Sequence, residues 1–120
     1  MKYLLWSVVW AALAALPLAG FQQGGPYKIG DGVSAPVLLS KVEPRYTEEA
    51  RDQKIQGTLV LAMVVGADGY ARDVRVVRSV DQGLDANGIQ AVLEWKFKPG
   101  EKDGQPVAVF ATVEINFKLN

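Results

Sequence analysis

Between Pro36 and Asn120 the apolar positions alternate between two periods, and each change of period marks an element. Thr58 to Val65 is apolar or Thr throughout, with Val repeated, which predicts a strand. Leu59, Leu61, Met63 and Val65 share one face of it; Val60, Ala62 and Val64 share the other. Gly66-Ala67-Asp68-Gly69 then reads as a hairpin turn, with Asp68 and Gly69 supplying positions that tolerate positive φ. Tyr70 to Val80 is the return strand. Val74 and Val76 face one way, while Arg75, Val77 and Ser79 face the other, so one side meets solvent. Val107 to Leu119 carries the longest alternation. Val107, Val109, Ala111, Val113, Ile115, Phe117 and Leu119 interleave with Ala108, Phe110, Thr112, Glu114, Asn116 and Lys118, as in a strand with one apolar face.

Two segments show helical spacing instead. Thr47 is a suitable N-cap for a short helix from Glu48 to Lys54; Glu48 and Glu49 suit its positive end, and Gly57 stops it. A second helix runs from Asp85 to about Trp95. Leu84, Gly88, Val92 and Trp95 form its stripe, Ile89 and Leu93 lie beside it, and Phe97 and Pro99 end it. Leu38 to Val42 is an apolar lead-in, and Gly100 to Gln105 is a charged turn. The order α-β-β-α-β predicts an α+β fold. It is a small two-layer sandwich, with a three-stranded antiparallel sheet and two helices on one face. Such a sheet has two edges, and an edge strand must be blunted or used.

The N-terminal third has another character. Tyr3 to Phe21 contains no charged residue and follows Lys2. Residues 1–21 read as a secretory signal peptide or as an N-terminal membrane anchor, since about 19 apolar residues span a bilayer. Cleavage after Ala19 or Gly20 would leave Pro17 or Leu18 at the third position back. Either reading sends the remainder out of the cytoplasm. Residues 22–35 are rich in Gly and read as a flexible linker, reaching about 50 Å when fully extended. Residues 36–120 form the folded domain.

Composition narrows the chemistry. Lys plus Arg number 13 and Asp plus Glu number 13, so no basic footprint for nucleic acid exists. The chain has no Cys and no His, which removes disulfides, thiolate metal sites and the usual general base. Glu48 and Glu49 are adjacent and diverge on a helix, while Asp81 and Asp85 look like turn and capping residues. The expectation is a non-enzymatic domain with no cofactor and no metal.

A resemblance is carried by Pro44-Arg45-Tyr46, Glu49-Ala50, Gly57-Thr58-Leu59-Val60, Asp68-Gly69 and Val74 to Ser79. It continues through Gly83-Leu84-Asp85, Ala91-Val92, Trp95-Lys96-Phe97-Lys98-Pro99, Gly104-Gln105-Pro106-Val107 and Ile115-Asn116-Phe117. In this order and spacing the segments resemble the C-terminal domain of TonB-type energy transducers. Trp95 and Phe97 nevertheless read first as core, and Gly57, Gly69 and Gly104 as turn requirements. The resemblance implies a periplasmic domain that takes a segment of a TonB-dependent outer-membrane transporter as an extra strand and works with an inner-membrane motor complex. It places the contacts on the last strand, between Val107 and Phe117, chiefly Val109, Phe110, Ala111, Thr112, Val113, Glu114 and Ile115, and on Pro44, Arg45 and Tyr46. Many relatives follow that aromatic with Pro, where this chain has Thr47. The linker is short for a transducer. A stand-alone periplasmic scaffolding or regulatory module, without force transmission, is therefore the alternative, and strand edges also allow a homodimer.

Overall fold

The structure, a computed structural model, describes residues 25–120. The apolar segment over residues 1–21 lies outside the described residues. The elements are β1 (Val37–Ser40), α1 (Glu48–Asp52), β2 (Gly57–Val65), β3 (Ala71–Arg78), α2 (Gln82–Leu93), β4 (Lys96–Lys98), β5 (Gly100–Lys102), β6 (Gln105–Val107) and β7 (Val109–Phe117). The main sheet is antiparallel, in the order β3-β2-β7. Two further two-stranded ribbons, β1-β4 and β5-β6, flank it.

The core lies on the face of the sheet that carries Leu59, Leu61, Met63 and Val65, all buried as the alternation requires. Ala50 of α1 and Leu84 and Val92 of α2 join it, together with Val109, Ile115 and Phe117 of β7. Gly88 lets α2 approach closely, because a Cβ there would sit 2.4 Å from a Leu59 methyl. Trp95 and Phe97 are buried in the same cluster, with ring centroids 6.3 Å apart. The fold is α+β with the expected helix and main-strand order. Several local readings need correction, each for a physical reason.

Thr47 caps α1 as expected, its Oγ1 accepting from the Ala50 N–H over 3.0 Å. The helix ends at Asp52 rather than Lys54, however. Lys54 adopts φ +56°, and Gly57 already belongs to β2. In the β2-β3 turn only Gly69 is left-handed, at φ +88°; its N–H donates to the Gly66 carbonyl over 2.9 Å. A Cβ on Gly69 would lie 2.3 Å from the Phe97 carbonyl oxygen, so turn geometry and close packing both demand glycine there.

The return strand is shorter than Tyr70 to Val80, and its alternation fails. Its register against β2 shifts twice, between Val60 and Leu61 and between Ala62 and Val64. Asp73 sits at φ +53° beside the second shift. Such bulges break the period of two, which leaves both Val76 and Val77 exposed. Helix α2 starts one turn earlier than Asp85. Asp81 is its N-cap, accepting from the Leu84 N–H, while Asp85 accepts from the Val80 and Asp81 N–H groups and from Ser79 Oγ. Gly100 to Gln105 is not merely a turn. Asp103 and Gly104, both at positive φ, close the β5-β6 hairpin. Val107 belongs to that hairpin, and the last strand is correspondingly shorter, Val109–Phe117 rather than Val107 to Leu119.

The segment read as a flexible linker is packed from Tyr27 onward. Val33 is buried; its N–H donates to the Gly30 carbonyl over 3.1 Å, and the Gly30 N–H donates to the Val33 carbonyl over 2.9 Å. The Ser34 N–H donates to the Glu101 carbonyl, and the Glu101 N–H donates to Ser34 Oγ. No helix among the described residues is long and apolar enough to cross a membrane.

Candidate functional site

The two edges of the main sheet differ in kind. β3 carries both register shifts and presents Arg72, Arg75 and Arg78 opposite Val64, Ala62 and Val60. Bulges and charged side chains are the usual means of making an edge reject another strand. β7 pairs with β2 from Gly57↔Phe117 to Val65↔Val109 without one shift, so its backbone is regular along its whole length. Among the described residues no strand of the sheet lies beyond it.

Which groups of β7 point outward follows from a single hydrogen bond. The Phe110 N–H donates to the Tyr27 carbonyl over 2.9 Å, and Tyr27 lies on the side away from β2. N–H and C=O groups of one strand residue point the same way, and the direction reverses with each residue. Thr112, Glu114 and Asn116 therefore aim their N–H and C=O groups outward, with Phe110. Val109, Ala111, Val113, Ile115 and Phe117 use theirs on β2. The side chains divide with the same period. Val109 and Ile115 are buried, and Ala111 and Val113 are half-buried on the core side. Phe110, Thr112 and Glu114 are exposed on the open face, opposite Val64, Ala62 and Val60.

Val109 to Ile115 thus form one continuous edge. Pro44-Arg45-Tyr46 does not lie along it. The Tyr46 ring meets Phe117 edge-on, at 5.6 Å between centroids and 90° between planes, beyond Ile115 and on the core side. The Tyr46 hydroxyl donates to the Ile55 carbonyl over 2.7 Å, and the Arg51 guanidinium lies 5.6 Å from the ring centre. The Arg45 carbonyl accepts from Asn87 Nδ2 over 2.8 Å, while Pro44 is half-buried and the Arg45 side chain exposed. These contacts are what a segment fixed to its own domain makes.

Sequence reasoning missed Tyr27. Its N–H donates to the Ala108 carbonyl and its carbonyl accepts from Phe110, which makes a parallel bridge at Val109. The Lys102 ammonium sits 4.5 Å from the centre of its ring. The available signal was the presence of Tyr27, Ile29 and Val33 around Asp31-Gly32, apolar residues flanking a turn dipeptide within a Gly-rich stretch.

The family described as the Gram-negative bacterial TonB protein C-terminal matches residues 42–119. The chain belongs to that family. It is 36% identical over 89 residues to protein TonB of Vibrio cholerae, covering 72% of this chain and 36% of that protein. To protein tonB2 of Pseudomonas aeruginosa it is 31% identical over 83 residues, covering 68% of this chain and 31% of that one. Its fold matches the solution structure of the Pseudomonas aeruginosa TonB C-terminal domain with a TM-score of 0.60 at 27% identity, over 76% of this chain and 90% of that one. The chain thus spans about a third of the length of the curated relatives it matches. Membership places this TonB C-terminal domain outside the enzymes. The family match begins at Val42, after β1 and after the segment from Tyr27 to Val33.

Proposed function

We propose that the outer edge of β7 takes an extended segment of a TonB-dependent outer-membrane transporter as an added antiparallel or parallel strand, in the service of transport across the outer membrane. One observation carries this reading: an unshifted strand of nine residues whose outward backbone groups, from Thr112 to Asn116, face no strand among the described residues. In strand addition the main chain supplies affinity, and side chains at alternate positions supply selectivity. Here the selective positions are Thr112 and Glu114 on the open face, with Ala111 and Val113 below the edge. Pro44, Arg45 and Tyr46 contribute by holding the end of β7 rather than by touching the ligand. The domain works in the periplasm, and an inner-membrane motor complex is its partner where the N-terminal segment stays anchored.

A second reading, a stand-alone periplasmic binding module, is favoured by the packing of Tyr27 against the start of β7, which takes part of the segment read as linker into the domain. A second copy of the chain competes for the same edge and would give a homodimer through β7. The test is titration of the labelled domain with a peptide from the periplasmic N-terminus of an outer-membrane transporter, followed through backbone amide signals. The reading expects the largest changes at Thr112, Glu114 and Asn116. Binding that instead perturbs β3, or the Pro44 to Tyr46 segment alone, overturns it. Sedimentation across a concentration series separates the homodimer.

A further inference from the structure

We infer that Tyr27 is a stop that sets the register and length of whatever strand docks on β7. The inference rests on the docking reading above and adds to it a determinant of specificity. Tyr27 already uses the first stretch of the edge, through its bonds to the Ala108 carbonyl and the Phe110 N–H. It runs parallel to β7 there, and the chain then leaves the edge. Asp31 and Gly32, both at positive φ, turn it back so that Val33 bridges Lys102 of β5.

What keeps the segment in place is independent of the edge it covers. Val33 is buried in the core, the Gly30–Val33 turn is closed by two backbone bonds, and Ser34 exchanges two bonds with Glu101. Lys102, from the same hairpin, holds the Tyr27 ring through a cation–π contact. An incoming strand has no need to displace this segment, and displacing it would expose Val33. The ligand therefore abuts Tyr27. The outward groups left to it run from the Phe110 carbonyl to Asn116, about 20 Å of strand, which suits a peptide of roughly six residues. Its side chains on one side meet half-buried Ala111 and Val113, so apolar residues belong there. On the other side they meet Thr112 and Glu114, so hydrogen-bond donors belong there.

Two measurements test this on the full chain. The first needs no ligand. In hydrogen exchange the Phe110 amide, bonded to Tyr27, exchanges about tenfold or more slower than the Thr112 amide, which faces outward with no strand neighbour among the described residues. Equal rates at both positions would remove the stop. The second uses nested transporter peptides of about four to ten residues. In the parent, affinity climbs by roughly tenfold for each added pair of backbone bonds and levels off near six residues. In the Tyr27→Pro/Val33→Ser variant, which loses the bond to Ala108 and the buried anchor that holds the segment on the edge, the longer peptides go on gaining. A parent that gains as far as the variant does shows that the segment yields to the ligand, and the stop is refuted. If no peptide of any length binds, the docking reading fails and the stop fails with it. A slow Phe110 amide would then identify the failure as that of docking, not of the Tyr27 contact.

Discussion

The Tyr46 hydroxyl donates to the Ile55 carbonyl, and its ring edge meets Phe117. Both contacts are internal, and they join the segment before α1 to the end of β7. Tyr46→Phe keeps the ring pair and loses one partly buried hydrogen bond, so the cost to stability is about 0.5–1.5 kcal/mol. Peptide affinity should be unaltered. Urea melts and a peptide titration of the same variant check both halves, and a loss of affinity without a loss of stability would return Tyr46 to the binding surface. Trp95 serves a comparable purpose in the same core cluster. It is buried, and its Nε1 donates over 2.9 Å to the Val42 carbonyl, tying the chain after β1 to the end of α2. Trp95→Ala empties a large aromatic site and leaves that carbonyl unpaired. The expected loss is about 3–5 kcal/mol, a sizeable share of a small domain's stability. A change below about 1 kcal/mol in urea would mean an exposed ring and a binding role.

β7 permits a sharper comparison, because neighbouring residues of one strand face opposite ways. The Thr112 N–H points to the open edge and the Val113 N–H to β2, as the Phe110–Tyr27 bond and the register require. Thr112→Pro removes an outward donor and puts a ring in the path of an incoming strand, which an edge strand survives. Circular dichroism should match the parent while peptide affinity falls by roughly tenfold or more. Val113→Pro removes a bond to β2 and should unfold the domain. A folded Thr112→Pro variant that binds like the parent eliminates β7 as the docking strand. This element was largely legible beforehand, because uniform alternation needs only one apolar face, and β2 was legible for the same reason. β3 was not. Two bulges uncouple Val76 and Val77 from the pattern, and a bulge is set by pairing with β2 rather than by β3's own residues. β4, β5 and β6 were missed because strands of three residues are too short to show a period, and Lys96, Lys98, Glu101 and Lys102 look like loop. Asp103-Gly104 was the one local sign of the hairpin. The start of α2 was misjudged because Asp81 and Asp85 both suit a cap; the structure gives that role to Asp81 and uses Asp85 to hold the preceding N–H groups.

On the scale of the whole molecule, the edge that the sequence assigned to docking is the one left regular, while the portion nearest its start is covered by residues that composition alone marks as linker. Gly-rich segments pack when a few apolar residues find a site, as Val33 does, and only tertiary contact reveals it. One consequence is geometric. With Tyr27 seated, the chain from Phe21 to Tyr27 reaches no more than about 20 Å even when extended, well under the 50 Å or so allowed by a wholly free linker. If the charge-free stretch from Tyr3 to Phe21 after Lys2 serves as an export signal, the domain leaves the cytoplasm whether the stretch is cleaved or kept. Cleavage near Gly20 or Phe21 would leave the Tyr27 contact intact and yield a small periplasmic binding domain. Retention would hold the same domain close to the inner membrane. Protease added to intact cells should spare the domain, and protease added after the outer membrane alone is permeabilised should reach it. N-terminal sequencing of the fractionated protein then separates the two fates: a start near Gly20 in the soluble periplasmic fraction marks cleavage, and an intact N-terminal segment in the membrane fraction marks an anchor. A domain that stays protected until the inner membrane is lysed, with Met1 in place in the soluble fraction, would refute export in both forms and with it any meeting with an outer-membrane transporter.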